Sequence, residues 1–425
     1  MTLTVTLSAE QQAVVDLIDK TNNCIFITGR AGTGKTAVLK AFAKTTKKKH
    51  VVAASTGIAA LNAGGQTLHR LVGVGTALPA DLGLDLPKVK SKRLWLKHVR
   101  TIIIDEVSMV SADLIDSVDR NLRYITGIWD QPFGGIQIVM FGDPYQLPPV
   151  VTREARQWYK ANKYDSAWFF DAHVWDRNPF MTVELQTIFR QEDDTFKDLL
   201  NGVRDASLDR DGLALLNALG SRPGRTDQAL LLGSTNNIVL QRNRARMQSL
   251  RGRTHVYTAR VNTGFGRGEP AERRLELKEG AHVMLLNNDG EDRWVNGSRG
   301  EVEYCGPDSV EVRLWDTDEV HTVERVAWVP DGTPPDGYNA APKYWQIPLK
   351  LAWAVSIHKS QGLSLPEIEI DMGQYGAFEG GMTYVALSRA TDPWGVYFNQ
   401  PLQMDDIMVN PNVAKFFQRL KEVTT

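Results

Sequence analysis

The stretch Gly29-Arg30-Ala31-Gly32-Thr33-Gly34-Lys35-Thr36 sets glycines, a lysine and a hydroxyl at the spacing G-x-x-x-x-G-K-[ST]. Each residue type has a chemical reason to stand there. Gly29, Gly32 and Gly34 let the backbone curl, so that successive N–H groups, those of Ala31 and Thr33 among them, converge on phosphate oxygens. A helix starting at that point adds positive partial charge. The Lys35 ammonium reaches the outer phosphates, and the Thr36 hydroxyl is suited to Mg2+. The chemistry is that of holding ATP with Mg2+.

Asp105 and Glu106 end the apolar run Thr101-Ile-Ile-Ile104. A carboxylate at a strand tip can hold Mg2+, and its neighbour can polarise a water for attack on the terminal phosphate. Two acids after a strand could also simply be solvated; a full phosphate loop in the same chain favours the catalytic reading. Arg190 and Arg389 are candidates to stabilise charge developing on the terminal phosphate, because a guanidinium offers a planar fork of donors.

Such residues need elements to hold them. Asn23–Thr28 is a short apolar run that leads straight into the glycines, and a helical stretch follows over 37–44. Val51–Ala54, Thr101–Ile104, Ile136–Phe141 and Met181–Glu184 are further buried-strand candidates. Short apolar runs separated by helical patterns predict a parallel sheet covered by helices on both faces. Residues 72–87 interrupt this pattern as a small insertion. Six Lys or Arg follow in the thirteen residues 88–100, either as a solvated helix face or as a surface for phosphates.

A second α/β pattern begins near Gln186, with a strand candidate at Ala229–Leu232. Over 255–340 short β-like runs divided by Asn, Asp and Gly turns predict a small antiparallel barrel, with Pro334-Pro335-Asp336-Gly337 as its exit. Ile347–Val355, Ile368–Asp371 and Gly395–Phe398 then resume the α/β pattern.

Composition narrows the class. The 425 residues carry 49 Lys and Arg against 50 Asp and Glu, a net charge of −1, which excludes a globally basic coat but not a local basic groove. Cys24 and Cys305 are the only cysteines and read as core thiols. No run approaches the roughly 18–20 apolar residues that span a bilayer. Met1–Val5 lacks a signal-peptide pattern, so the expectation is a cytoplasmic or nucleoid protein with no membrane contact.

Taken together, the ordered motifs resemble the Pif-type DNA helicases of superfamily 1, relatives of RecD and of the phage helicase Dda. Leu7-Ser-Ala-Glu-Gln11 is similar to the family's adenine-reading motif. Ala54-Ser-Thr56-Gly57-Ile-Ala-Ala60 and Gly64-Gly-Gln-Thr67-Leu-His69 resemble the DNA-contacting motifs of its first motor domain. Pro132–Gln137 resembles a stretch peculiar to the Pif branch. It leads into Gly142-Asp143-Pro-Tyr-Gln146, whose Gln146 matches the residue that couples phosphate state to DNA grip. Ser356-Ile-His358-Lys359-Ser360-Gln361-Gly362 resembles the motif that meets both DNA and the ATP cleft, and Leu277–Leu285 with Trp294–Gly300 the inserted barrel. The matches run from about residue 7 to about residue 398. Ser55 departs from the family pattern, where many relatives have Pro.

The resemblance implies two tandem RecA-like P-loop NTPase domains with a small SH3-like barrel inserted in the second. Its boundaries would be 1–185 for the first motor domain, with a wedge segment at about 72–97. The second would comprise 186–254 and 341–425, with the barrel at 255–340. The implied activity is ATP-driven 5′→3′ movement on single-stranded DNA, by a monomer, with unwinding of forked duplex in replication, repair or recombination. Gln11 would read adenine, and Gln361, Gly362 and Arg389 would complete the ATP site from the second domain. Thr56, Gly57, Thr67, His69, Ser356, His358 and Lys359 would hold DNA. A translocase or protein-stripping ATPase without strand separation, an ATP-gated DNA clamp and an RNA-acting relative stay open as alternatives.

Overall fold

The computed structural model describes residues 7–73, 93–178, 180–191, 193–263, 265, 269–329 and 341–424. The chain divides into two units. Unit 1 comprises Met1–Gly212, Phe378–Ser388 and Asp405–Thr425; unit 2 comprises Leu213–Ala377 and Arg389–Met404.

Unit 1 is built on six parallel strands: β1 (Ile25–Gly29), β2 (His50–Ala54), β3 (Gln66–Thr67), β4 (Thr101–Asp105), β5 (Gln137–Phe141) and β6 (Met181–Leu185), in the order β3-β2-β4-β5-β1-β6. The sequence explains why the sheet is covered on both sides. Successive strand residues face opposite ways. Phe26, Ile102, Ile104, Ile138 and Met140 enter one core with Phe169, Phe170 and Trp175. Ile25, Ile27, Ile103, Val139 and Phe141 enter the other with Val14, Ile18, Val38 and Phe42. Runs that are apolar at every position therefore form strands with no solvent face, as in the parallel sheets of α/β folds.

On the second of those faces pack α1 (Ala9–Lys20), opened by a capping box between Ser8 and Gln11, and α2 (Lys35–Thr45). Two short helices, α3 (Gly57–Asn62) and α4 (Leu68–Val72), follow β2 and β3.

The terminal helix Pro411–Thr424 belongs to unit 1, although the sequence reading groups 341–425 with the second motor domain. The reason is aromatic. Phe416 stacks on Phe170 with ring centroids 4.2 Å apart, and it meets Phe26, Phe169 and Trp175 edge-on or tilted. The helix Met382–Leu387 also packs within unit 1, while its chain neighbour Arg389 belongs to unit 2.

Unit 2 contains a parallel sheet of four strands, in the order Ala354–Ser356, Leu230–Gly233, Ile368–Asp371, Val396–Phe398. Its β-rich stretch is antiparallel. Five strands run in the order Val320–Glu324, Ser309–Leu314, Arg299–Cys305, His282–Leu285, Leu349–Leu351, and two smaller sheets accompany them. The fifth strand comes from beyond residue 340, where the sequence pattern placed the end of the barrel. The expected exit at Pro334–Gly337 and residues 74–92 of the expected wedge lie outside the described residues.

Candidate functional site

Every candidate residue of unit 1 outside α1 follows, or ends, one of the six parallel strands at its carboxyl end. Thr67 ends β3 and Thr56 follows β2. Asp105 ends β4, Asp143 and Gln146 follow β5, the glycine loop follows β1, and Arg190 follows β6. The register aligns them: Ala54 lies opposite both Thr67 and Asp105, and Gly29 lies opposite Leu185. Carboxyl edges of open parallel sheets are where α/β folds bind ligands.

The loop between β1 and α2 is shaped by its glycines. Gly32 has φ 85°, and a Cβ there would stand 2.6 Å from the Cβ of Arg190. Gly34 has φ 79°, and a Cβ there would fall on the Gln11 amide. Gly34 caps α2 with no side-chain hydrogen bond, so no side chain competes with an anion for the first N–H groups of that helix. The Gln11 Nε2 donates to Thr33 O at 3.1 Å, and its Oε1 accepts from Ser8 N at 3.0 Å. Gln11 thus braces the loop as well as lying beside it. Those two bonds use one of its two amide hydrogens and one of its two oxygen lone pairs.

Lys35 donates to Gly29 O at 2.6 Å and Arg30 O at 3.0 Å. Burial lowers its pKa, while Asp143 and Glu106 favour its charge. Thr36 is exposed at the start of α2. Asp105 is 7% exposed, and its Oδ1 accepts from Glu106 N at 2.9 Å. Burial, then the neighbouring Glu106 charge, pushes the Asp105 carboxyl up to about 7. Glu106 has φ 50° and ψ 46°, a left-handed backbone that a side-chain-bearing residue adopts at a cost of order 1–3 kcal/mol. Strain of that kind clusters at working sites, because the surroundings must hold it. The oxygen set of Thr36 and Asp105 is the hard-donor chemistry that suits Mg2+.

Arg190 sits directly on the loop. Phe189 N donates to Gly32 O at 2.8 Å, and Arg190 Nη1 donates to Ser388 O at 3.0 Å. Burial lowers the Arg190 pKa, opposed by the Glu106 charge.

Three residues not assigned a role from the sequence complete this neighbourhood. Asp143, fully buried, takes both Nε (3.1 Å) and Nη2 (3.0 Å) of Arg204. Burial works against the Arg204 charge, but the surrounding groups, Asp143 foremost, together outweigh it and raise the pKa above the ordinary arginine value. The Tyr384 hydroxyl accepts from Ala31 N at 2.7 Å and donates to Asp143 Oδ2 at 3.2 Å. Asp143 lies in the Gly142–Gln146 motif, and Tyr384 lies five residues before the candidate Arg389. Arg204 had no signal: it lies on a helix, Asp194–Asp205, 61 residues from its partner. Gln146 is buried, its N–H donating to Asp143 O at 2.9 Å.

Toward the other end of the sheet, Thr56 Oγ1 accepts from Ala59 N at 3.2 Å and Thr67 Oγ1 from Arg70 N at 3.3 Å. Each threonine caps a short helix, and each hydroxyl keeps a hydrogen to donate. Gly57 is exposed and His69 half-buried. Within the basic run, Arg93 is no phosphate contact. It is 8% exposed and gives Nε to Leu71 O and Nη2 to Arg70 O, both at 3.0 Å, closing the carboxyl end of α4. Lys97 and Arg100 are exposed, and Lys88–Lys92 lie outside the described residues.

In unit 2, Ser356 ends its strand at the N-cap position of the turn Ile357–Ser360, with no side-chain capping bond, and Lys359 is exposed. Burial lowers the His358 pKa, which favours the neutral imidazole. Arg389 is 2% exposed, and its Nη1 donates to Leu363 O at 3.2 Å. Unit 2 thus brings Arg389 beside the Gln361–Gly362 turn.

A phosphate loop between a strand of a parallel sheet and a helix, with acids at the tip of β4, two strands away in the same sheet, defines a P-loop fold of the RecA-like kind. Comparison with known proteins is consistent with this. Residues 6–210 match the profile of the PIF1-like helicase family. The chain is 34% identical over 432 residues to the human ATP-dependent DNA helicase PIF1, covering 98% of this chain and 64% of that protein. It is 30% identical over 505 residues to the ATP-dependent DNA helicase RRM3 of Saccharomyces cerevisiae, covering 98% and 68%. The crystal structure of Bacteroides Pif1 bound to single-stranded DNA superposes with a TM-score of 0.80 at 33% identity, covering 99% of this chain and 98% of that one. The chain belongs to the PIF1-like helicase family. It spans 64% of the length of the human relative. No described helix is long and apolar enough to cross a membrane.

Proposed function

We propose that this chain is an ATP-dependent DNA helicase that moves 5′→3′ on single-stranded DNA and separates duplex ahead of it. One observation carries the reading. A single parallel sheet sets a phosphate loop, two acids and Arg190 at one part of its carboxyl edge, and the helix-capping Thr56 and Thr67 at the other. Nucleotide chemistry and a track of phosphates are thereby served by one rigid frame. The names of the human and yeast relatives, and the single-stranded DNA bound to the Bacteroides protein, agree with that assignment.

In this reading Lys35 and the loop N–H groups other than that of Ala31, which is bonded to Tyr384, hold ATP, and Gln11 meets the base. Thr36 and Asp105 hold Mg2+, which supplies charge neutralisation on the phosphates when bound. Glu106 orients the attacking water, and Arg190 and Arg389 stabilise charge on the terminal phosphate. Gln146 senses that phosphate, and Gln361 and Gly362 serve the nucleotide. Thr56, Gly57, Thr67, His69, Ser356, His358 and Lys359 hold DNA phosphates. Hydroxyl and imidazole contacts suit a stepping motor, because dense Lys pairing would bind tightly and release slowly. The antiparallel part of unit 2 is assigned to an SH3-like barrel, and the chain acts on the fork as a monomer.

The test is ATP turnover with and without single-stranded DNA, and with RNA of the same sequence. Stimulation by DNA well above that by RNA supports the reading. Turnover indifferent to DNA contradicts it, and negligible turnover with tight DNA binding favours an ATP-gated clamp.

A further inference from the structure

We propose that Tyr384 is a positioning residue for nucleotide turnover, its hydroxyl fixing the phosphate loop at Ala31 and tying that loop to Asp143. The inference rests on the ATP-dependent reading above.

The geometry has three parts. First, the Ala31 N–H is committed to the Tyr384 oxygen at 2.7 Å. That takes one N–H out of the set that can turn toward phosphate and fixes where the loop begins its curl. Second, the same hydroxyl gives its hydrogen to Asp143 Oδ2 at 3.2 Å, and Asp143 is itself locked by the Arg204 fork. The Arg204 guanidinium lies over the Tyr145 ring, 4.2 Å from its centroid. Third, the segment carrying Tyr384 meets the other loops of the site. A Cβ on Gly381 would stand 2.5 Å from Tyr145 O and 2.7 Å from Gln146 O, so backbone lies against backbone there. Ser388 O accepts from Arg190. Residues 381–388 therefore touch the loops after β1, β5 and β6, and the chain runs on directly into Arg389.

A tyrosine wanted only for its volume would not need its hydroxyl at the loop. Tyr384 is 2% exposed, and each of its two polar bonds goes to a group at the nucleotide site rather than to its own helix. Any shift of the loop as nucleotide arrives must alter the Ala31–Tyr384 contact. By linkage, the contact alters nucleotide affinity in return.

Tyr384→Phe keeps the ring and removes the hydroxyl, leaving the Ala31 N–H without its acceptor. The expected result is a fall of about tenfold in kcat/KM for ATP, the size of one buried hydrogen bond. Nucleotide-free affinity for single-stranded DNA stays within twofold and the melting temperature within a few degrees. Unchanged kcat/KM would overturn the proposal, as would a loss matched by a lower folded fraction. Amide exchange in the unaltered, nucleotide-free protein gives a measure independent of the variant. A protected Ala31 amide supports the contact, and an amide exchanging at the free-peptide rate refutes it. Absence of DNA-stimulated turnover in the unaltered protein would instead sink the helicase reading and leave the Ala31 result to stand alone.

Discussion

Asp105 accepts the N–H of Glu106 through its own Oδ1 at 2.9 Å, so two adjacent acids at one strand tip are held in different ways. Asp105 is buried at the carboxyl end of β4 with its carboxyl pushed up to about 7, while Glu106 is half-buried on a left-handed backbone. Burial beside a second acid holds the Asp105 proton on into the neutral range.

The first prediction follows from that proton. Mg2+ binds the ionised carboxylate, so below about pH 7 it competes with a proton at Asp105. Mg2+ affinity in the presence of ADP should fall by about tenfold per pH unit below that point and level off above it. Without nucleotide the sign for stability is the opposite of a salt-bridged acid. The folded state binds the proton more tightly than the unfolded chain, so stability is lost as pH rises from about 4 to about 7. Asp105→Asn should therefore melt like the unaltered protein near pH 4 and several degrees higher at pH 8, as calorimetry can show.

Glu106→Gln should keep ATP binding and lose turnover by roughly 10²–10⁴-fold, the usual weight of a general base. Equilibrium binding of a fluorescent nucleotide, set beside steady-state hydrolysis, separates the two effects. Full turnover in the variant would remove Glu106 from its role.

Arg190→Lys and Arg389→Lys each retain a charge and lose the planar fork. Each should lower DNA-stimulated hydrolysis by at least about 100-fold, toward the 10³ or more attributed to arginine fingers. Arg190 lies on the loop, so its loss should also weaken nucleotide binding. Arg389 packs on Leu363 within unit 2, and its loss should leave binding of ADP to unit 1 nearly unaltered. Unaltered turnover in either variant ends that residue's assignment.

The Arg204–Asp143 pair is buried at both ends, at 8% and 0% side-chain exposure. Arg204→Met strands a buried carboxylate and should cost about 3–5 kcal/mol in denaturant unfolding. Adding Asp143→Asn should restore part of it, a coupling that a double-mutant cycle reads directly.

Much of the site was legible because its chemistry is local. The phosphate loop, Asp105 and Glu106 each lie within a few residues of the strand that presents them, so spacing alone finds them. Strand runs such as Thr101–Ile104 were legible because a strand buried on both faces leaves no polar interruption. Three things were not legible. Arg204 meets Asp143 across 61 residues, and nothing in an amphipathic helix marks one arginine as buried. Arg93, in a run of charges, looks no different in sequence from the exposed Lys97 and Arg100, yet it closes the end of α4. The terminal helix lies far along the chain from unit 1 but joins it, because Phe416 completes an aromatic stack whose other members come from 26 to 175. Long-range pairing, rather than pattern, decides each of these.

Strand separation on tailed duplexes tests the central claim most directly. One substrate carries a 5′ single-stranded tail and the other a 3′ tail, each incubated with and without ATP and Mg2+. The account predicts unwinding of the 5′-tailed substrate only, only with ATP, and none by Glu106→Gln. DNA-stimulated hydrolysis with neither duplex separated would contradict it and leave a translocase, and unwinding from the 3′ tail alone would reverse the assigned direction.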